Sequence, residues 1–80
     1  MARGLKNWTC REVTEFLKDR GFYFSHTKGS HYFYVKKAEK EYTVEVNFLT
    51  GGESYPPLTM KTMIINSGIP EKEWRDWIGK

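Results

Sequence analysis

Between Phe22 and Val35 the side chains alternate in character at every second position, and the alternation breaks once, at Lys28-Gly29. A period of two carried by aromatic and β-branched residues is the mark of strands, whose successive side chains point to opposite faces. The lysine and glycine read as a tight reversal, so the two halves are expected to pair as an antiparallel hairpin. With Lys28 and Gly29 as a two-residue loop, Thr27 faces Ser30, His26 faces His31, Phe24 faces Phe33 and Phe22 faces Val35. On that face every pair but the histidines is apolar, as a half-buried sheet requires. Tyr32 and Tyr34 then lie on the opposite, open face. Lys-Gly is not a favoured two-residue turn, so a bulged three-residue loop is the alternative.

The flanking segments supply helices and one more strand. Thr9-Cys10-Arg11-Glu12 has the spacing of a capping box, in which each side chain reaches the other residue's backbone amide. Val13, Phe16 and Leu17 follow at helical spacing, and Gly21 is placed to end the helix in a left-handed conformation. This predicts a first helix from Cys10 to Arg20. Tyr42, Val44, Val46 and Phe48 alternate with Thr43, Glu45 and Asn47, which predicts a third strand, antiparallel to the second across a short charged link. A second helix is expected from Pro57 to Ser67, with Met60, Met63 and Ile64 on its apolar side and Gly68 at its end. A short last helix from Pro70 to Ile78 presents Trp74 and Trp77 at i, i+3 spacing, as a cap on the core. The expected fold is α+β: a helix, a three-stranded antiparallel sheet and a helix, with the helices on one sheet face. The whole chain, 1–80, reads as a single domain.

Composition narrows the function classes. The formal net charge is +3, and Lys28, Lys36, Lys37 and Lys40 gather in the aromatic middle of the chain. A basic excess favours polyanions, although this excess is mild. Cys10 is the sole cysteine, so an intrachain disulfide is excluded and a reducing, cytoplasmic setting is expected. No apolar run approaches the roughly 20 residues of a membrane span, and residues 1–7 are too polar for a signal-peptide core. One cysteine and two histidines do not make a structural zinc site. No nucleophile elbow or phosphate-binding glycine loop is present. No cofactor and no metal are expected.

Among ordinary side chains only imidazole titrates near neutrality, which singles out His26 and His31. RNA carries its own nucleophile, the 2′-hydroxyl. A protein can therefore cut RNA without a metal if it removes that proton, holds the phosphate and protonates the leaving oxygen. Imidazole suits the proton transfers and lysine suits the phosphate. His31 is the candidate general acid or base, with His26 as a possible auxiliary. Lys28, Gly29, Ser30, Tyr32, Lys36 and Lys61 are candidate RNA-binding residues. The ordinary reading of each, a strand-end histidine, cross-strand tyrosines and a polar turn, stands beside the functional one.

Three blocks carry a resemblance: the capped helix ending in Gly21-Phe22, then Lys28-Gly29-Ser30-His31 with aromatics after it, and Thr59-Met60-Lys61 through Asn66-Ser67-Gly68-Ile69-Pro70. Over Thr9 to Trp77 the chain resembles the HicA family of bacterial toxins, small mRNA-cleaving proteins with a fold like the double-stranded-RNA-binding domain. The resemblance implies a metal-independent mRNA endoribonuclease in which His31 is catalytic and Gly29 shapes the turn. It also implies a toxin of a type II toxin-antitoxin system, partnered by a HicB antitoxin and acting in the cytoplasm. The free protein is expected to be a monomer. Many members carry histidines after the third strand, where this chain has Asn47-Phe48-Leu49-Thr50. The competing readings are a non-catalytic double-stranded-RNA-binding module and a degenerate toxin kept for its antitoxin.

Overall fold

A computed structural model describes residues 8–48 and 53–78. The elements run α1 (Cys10–Asp19), β1 (Tyr23–Lys28), β2 (His31–Lys37), β3 (Glu41–Asn47), α2 (Pro57–Ser67) and α3 (Glu71–Ile78). The strands form one antiparallel sheet in the order β1-β2-β3. This is the α+β architecture expected from the sequence. Among the described residues no helix is long and apolar enough to cross a membrane.

Local chemistry starts and stops the helices where the sequence places the signals. The backbone amide of Glu12 donates to Thr9 Oγ1 at 3.3 Å, and the Thr9 amide donates to Glu12 Oε1 at 3.0 Å. Both halves of the capping box are thus closed. At the other end of α1, Phe22 N donates to Leu17 O and Gly21 N to Lys18 O. That pair of bonds is the Schellman arrangement, and it drops Phe22 into the core at 3% exposure. α2 opens with Pro57 and closes on Gly68 in the left-handed region. Ser67 Oγ donates to Ile64 O and accepts from Ile69 N, which turns the chain towards α3.

The core lies between one sheet face and the helices. Val13, Phe16 and Leu17 of α1, Met60, Met63 and Ile64 of α2, Val44 and Val46 of β3, and Tyr34 of β2 are all buried. An aromatic cluster closes one end. Trp8 contacts Phe16, Trp74 and Trp77, and the Phe16 and Trp74 rings lie 4.3 Å apart. Such ring pairs add about 0.5–1.5 kcal/mol each beyond the area they bury. Trp8 is held in turn by its carbonyl, which accepts from Tyr55 N at 2.9 Å.

The hairpin departs from the expected register. Lys28 pairs with His31, Thr27 with Tyr32 and His26 with Phe33, so Gly29 and Ser30 form the loop instead of Lys28 and Gly29. The reason is local. Gly29 has φ +61°, which suits the first position of a two-residue hairpin loop and costs glycine little. Thr27 Oγ1 clasps the turn by donating to the carbonyls of Gly29 and His31. The expected pairing of His26 with His31 is therefore corrected.

A second departure follows along β1. The register shifts between Phe24 and His26, leaving Ser25 as an extra residue. This bulge puts Phe24 and His26 on opposite faces. Phe24 contacts Tyr32 and Tyr34, whereas His26 stacks on Phe33. The faces of β2 are correspondingly exchanged. Tyr34 is 5% exposed and Tyr32 packs against the core, so neither stands on the open face. The opposite face carries the row His31, Phe33 and Val35, which is exposed at His31, half-buried at Phe33 and buried at Val35.

Two left-handed glycines provide a test. A Cβ on Gly29 would meet nothing, whereas one on Gly68 would overlap the Tyr42 ring. Gly29→Ala is expected to cost about 1 kcal/mol for its backbone conformation alone. Gly68→Ala adds steric overlap and is expected to cost about 2–4 kcal/mol. Chemical denaturation of the two variants checks the order; a Gly68→Ala protein as stable as Gly29→Ala would contradict the packing.

Candidate active site

The site is built by the β2–β3 pairing. His31 is the first residue of β2 and pairs with Asn47, while Phe33 pairs with Glu45 and Val35 with Thr43. Directly paired residues share a face. The row His31, Phe33 and Val35 thus stands beside the polar row Asn47, Glu45 and Thr43. Glu45 lies diagonally from His31, and its Oε2 is 2.6 Å from His31 Nδ1. Both side chains are about half exposed, at 49% and 50%. The ring is held yet open to solvent.

On the other side of His31 stands Lys28, its direct partner across the hairpin. Its exposed ammonium group is thereby carried on the histidine's face of the sheet. Ser30 Oγ donates to Asn47 Oδ1 at 3.2 Å, and Phe48 N donates to Ser30 O at 2.7 Å. These bonds tie the hairpin loop to the end of β3. Tyr55 adds a third tie, donating its hydroxyl to Asn47 O at 2.5 Å. The Lys28-Gly29-Ser30-His31 stretch is therefore braced from the strand beside it.

His26 has a different place from the one expected. Its ring lies 4.5 Å from that of Phe33 with an interplanar angle of 11°, and its Nδ1 is 3.0 Å from Ser25 Oγ. It forms the exposed outer layer of a stack on the half-buried Phe33, next in line to His31 on the same face. The aromatic surface that could receive a base beside His31 is this His26–Phe33 stack, not Tyr32 and Tyr34.

The remaining candidates are scattered. Lys36 pairs with Tyr42 on the covered-face row, with its stem near Gly21, far along β2 from His31. Lys61 is exposed on α2. It is not among the residues Thr59, Thr62, Met63 and Asn66, which form with Glu45 and Asn47 a groove of about 270 Å³ beside the site. The structure thus brings together His31, Lys28, Gly29 and Ser30, and keeps Tyr32, Lys36 and Lys61 apart from them. Sequence reasoning did not single out Glu45 or Asn47. Their signal lay in the polar half of the third strand's alternation, which becomes a site only once its register against the second strand is known.

Tyr55 gives the brace a measurable signature. Burial, above all, pushes its phenol far above the ordinary range, and the same cause raises Tyr34. In the unfolded chain a tyrosine ionises near about pH 10. A group whose folded pKa is raised contributes stability that is complete below its unfolded pKa and is lost as pH climbs above it. The melting temperature is thus expected to fall as pH rises past about 10. Tyr55→Phe is expected to lose about 1 kcal/mol at neutral pH, for the missing hydrogen bond, and to show a shallower alkaline decline. Thermal melts across alkaline pH check both; equal declines in the two proteins would contradict this account.

Compared with protein-family models, with curated proteins and with solved structures, the chain finds no match in any of the three.

Proposed function

We propose that this chain is a metal-independent endoribonuclease of the HicA toxin type, with His31 as its general acid and base. The observation that carries the reading is the half-exposed His31 on the open sheet face, gripped through Nδ1 by Glu45 and flanked by Lys28. The resemblance over Lys28-Gly29-Ser30-His31 supports it independently.

The chemistry needs few groups. Nε2 of His31 removes the proton of a ribose 2′-hydroxyl. The freed oxygen attacks the adjacent phosphorus, and charge grows on the non-bridging oxygens, where Lys28 stabilises it. The imidazolium returns its proton to the departing 5′-oxygen, leaving a cyclic phosphate on one fragment and a hydroxyl on the other. The enzyme ends as it began. The His26–Phe33 stack offers a ring face to a neighbouring base, a contact every base can make. On this reading the substrate is mRNA in the cytoplasm, the physiological partner is a HicB-type antitoxin, and the free protein is a monomer.

His31→Ala is expected to abolish cleavage of an mRNA fragment while leaving the circular dichroism spectrum and melting temperature close to those of the parent. Cleavage by the parent protein is expected to persist in a chelator. Undiminished cutting by a folded His31→Ala protein would sink the assignment. Retention of RNA by the parent protein without any cutting would favour the double-stranded-RNA-binding module in its place.

A further inference from the structure

The geometry points to Glu45 as the positioning residue that fixes the protonation pattern of His31, an inference that rests on the endoribonuclease reading. An ionised carboxylate can only accept hydrogen bonds. At 2.6 Å from Glu45 Oε2, His31 Nδ1 must therefore carry the hydrogen. In the neutral ring the lone pair is then on Nε2, the nitrogen available to take a proton. Without such a partner neutral imidazole distributes between two tautomers, and only one of them presents its base at the correct edge.

The contact also sets the direction of attack. The two ring nitrogens flank one carbon, and their outward directions diverge. Nδ1 is turned to β3, so Nε2 faces away from Glu45. The reacting hydroxyl consequently approaches an edge of the ring that Glu45 does not occupy. Once Nε2 has taken a proton, the same carboxylate faces a cation and stabilises it. A carboxylate behind a catalytic imidazole does this in serine proteases as well, through orientation and charge and without becoming protonated itself.

The framework behind Glu45 is firm. It lies within β3, between Val44 and Val46, which are both fully buried. Its own side chain is half exposed, so its removal leaves the core untouched.

The test uses the full chain, a labelled mRNA fragment and nitrogen NMR of the imidazole. In the parent protein, at a pH above the usual imidazole range, the ¹⁵N shifts of His31 should report hydrogen on Nδ1 and a lone pair on Nε2. In Glu45→Ala the two tautomers should mix, and kcat should fall roughly 10–100-fold, the scale seen when a carboxylate behind a metal-bound histidine is lost, with KM changed little. His31→Ala separates the failures. Cleavage that survives His31→Ala overturns the endoribonuclease reading and this inference together. Cleavage lost in His31→Ala but undiminished in Glu45→Ala overturns the role of Glu45 alone. A His31 signal with hydrogen chiefly on Nε2 in the parent, or a tautomer ratio unmoved by Glu45→Ala, overturns it as well.

Discussion

The single apolar row of β3 is the constraint on which the rest depends. Tyr42, Val44 and Val46 point one way, and Thr43, Glu45 and Asn47 the other. Only one of these rows can be buried without stranding polar groups. That choice orients the whole strand, and hydrogen bonding passes it to β2. Tyr32 must lie beside Val46 and Tyr34 beside Val44, so the tyrosines pack towards the core although Phe33, on the opposite row, is the more apolar ring. His31 is left outside for the same reason. The exposure of the candidate catalytic residue is thus a consequence of what its neighbouring strand can afford to bury.

The helices secure that arrangement from behind. Phe16 of α1 and Trp74 of α3 meet over Trp8, while Arg20 reaches Glu73 at 3.3 Å and lies over the Phe16 ring. The Arg20–Glu73 ion pair is partly exposed and contributes little by charge alone. The aromatic cluster carries more, because it joins the segment before α1, α1 itself and the last helix in one packed unit. α2 covers the β3 side, and its Gly68 brings the backbone against the Tyr42 ring. The covered face is therefore closed along β3. It is less complete over β1, where Phe24 keeps 46% of its surface.

Much of this was legible in the chain. The capping box at Thr9, the left-handed stop at Gly21, the span of α2 and the three-strand order all follow from short-range rules that the structure obeys. The misreading lay in the hairpin and had two physical causes. Pairing apolar with apolar within one hairpin ignored the third strand, whose alternation arbitrates between the two faces of β2. A strict period of two also cannot anticipate a bulge, and the extra residue at Ser25 moves His26 to the face opposite Phe24. His31 emerged because its residue type and its place after the turn are local features. Glu45 did not, because its meaning comes from a register between strands and not from its neighbours in sequence.

The bulge at Ser25 has a consequence beyond the placement of His26. β1 is an edge strand with every side chain exposed, and an edge strand offers its unpaired backbone groups to any other strand that can lie flat against it. An interrupted strand is a poor template, because the extra residue breaks the even spacing of donors and acceptors and increases the local twist. Lys28 adds a charge at the end of the same edge. The irregularity that defeats a simple reading of the hairpin thus also guards a small aromatic-rich sheet against growing by the addition of further chains.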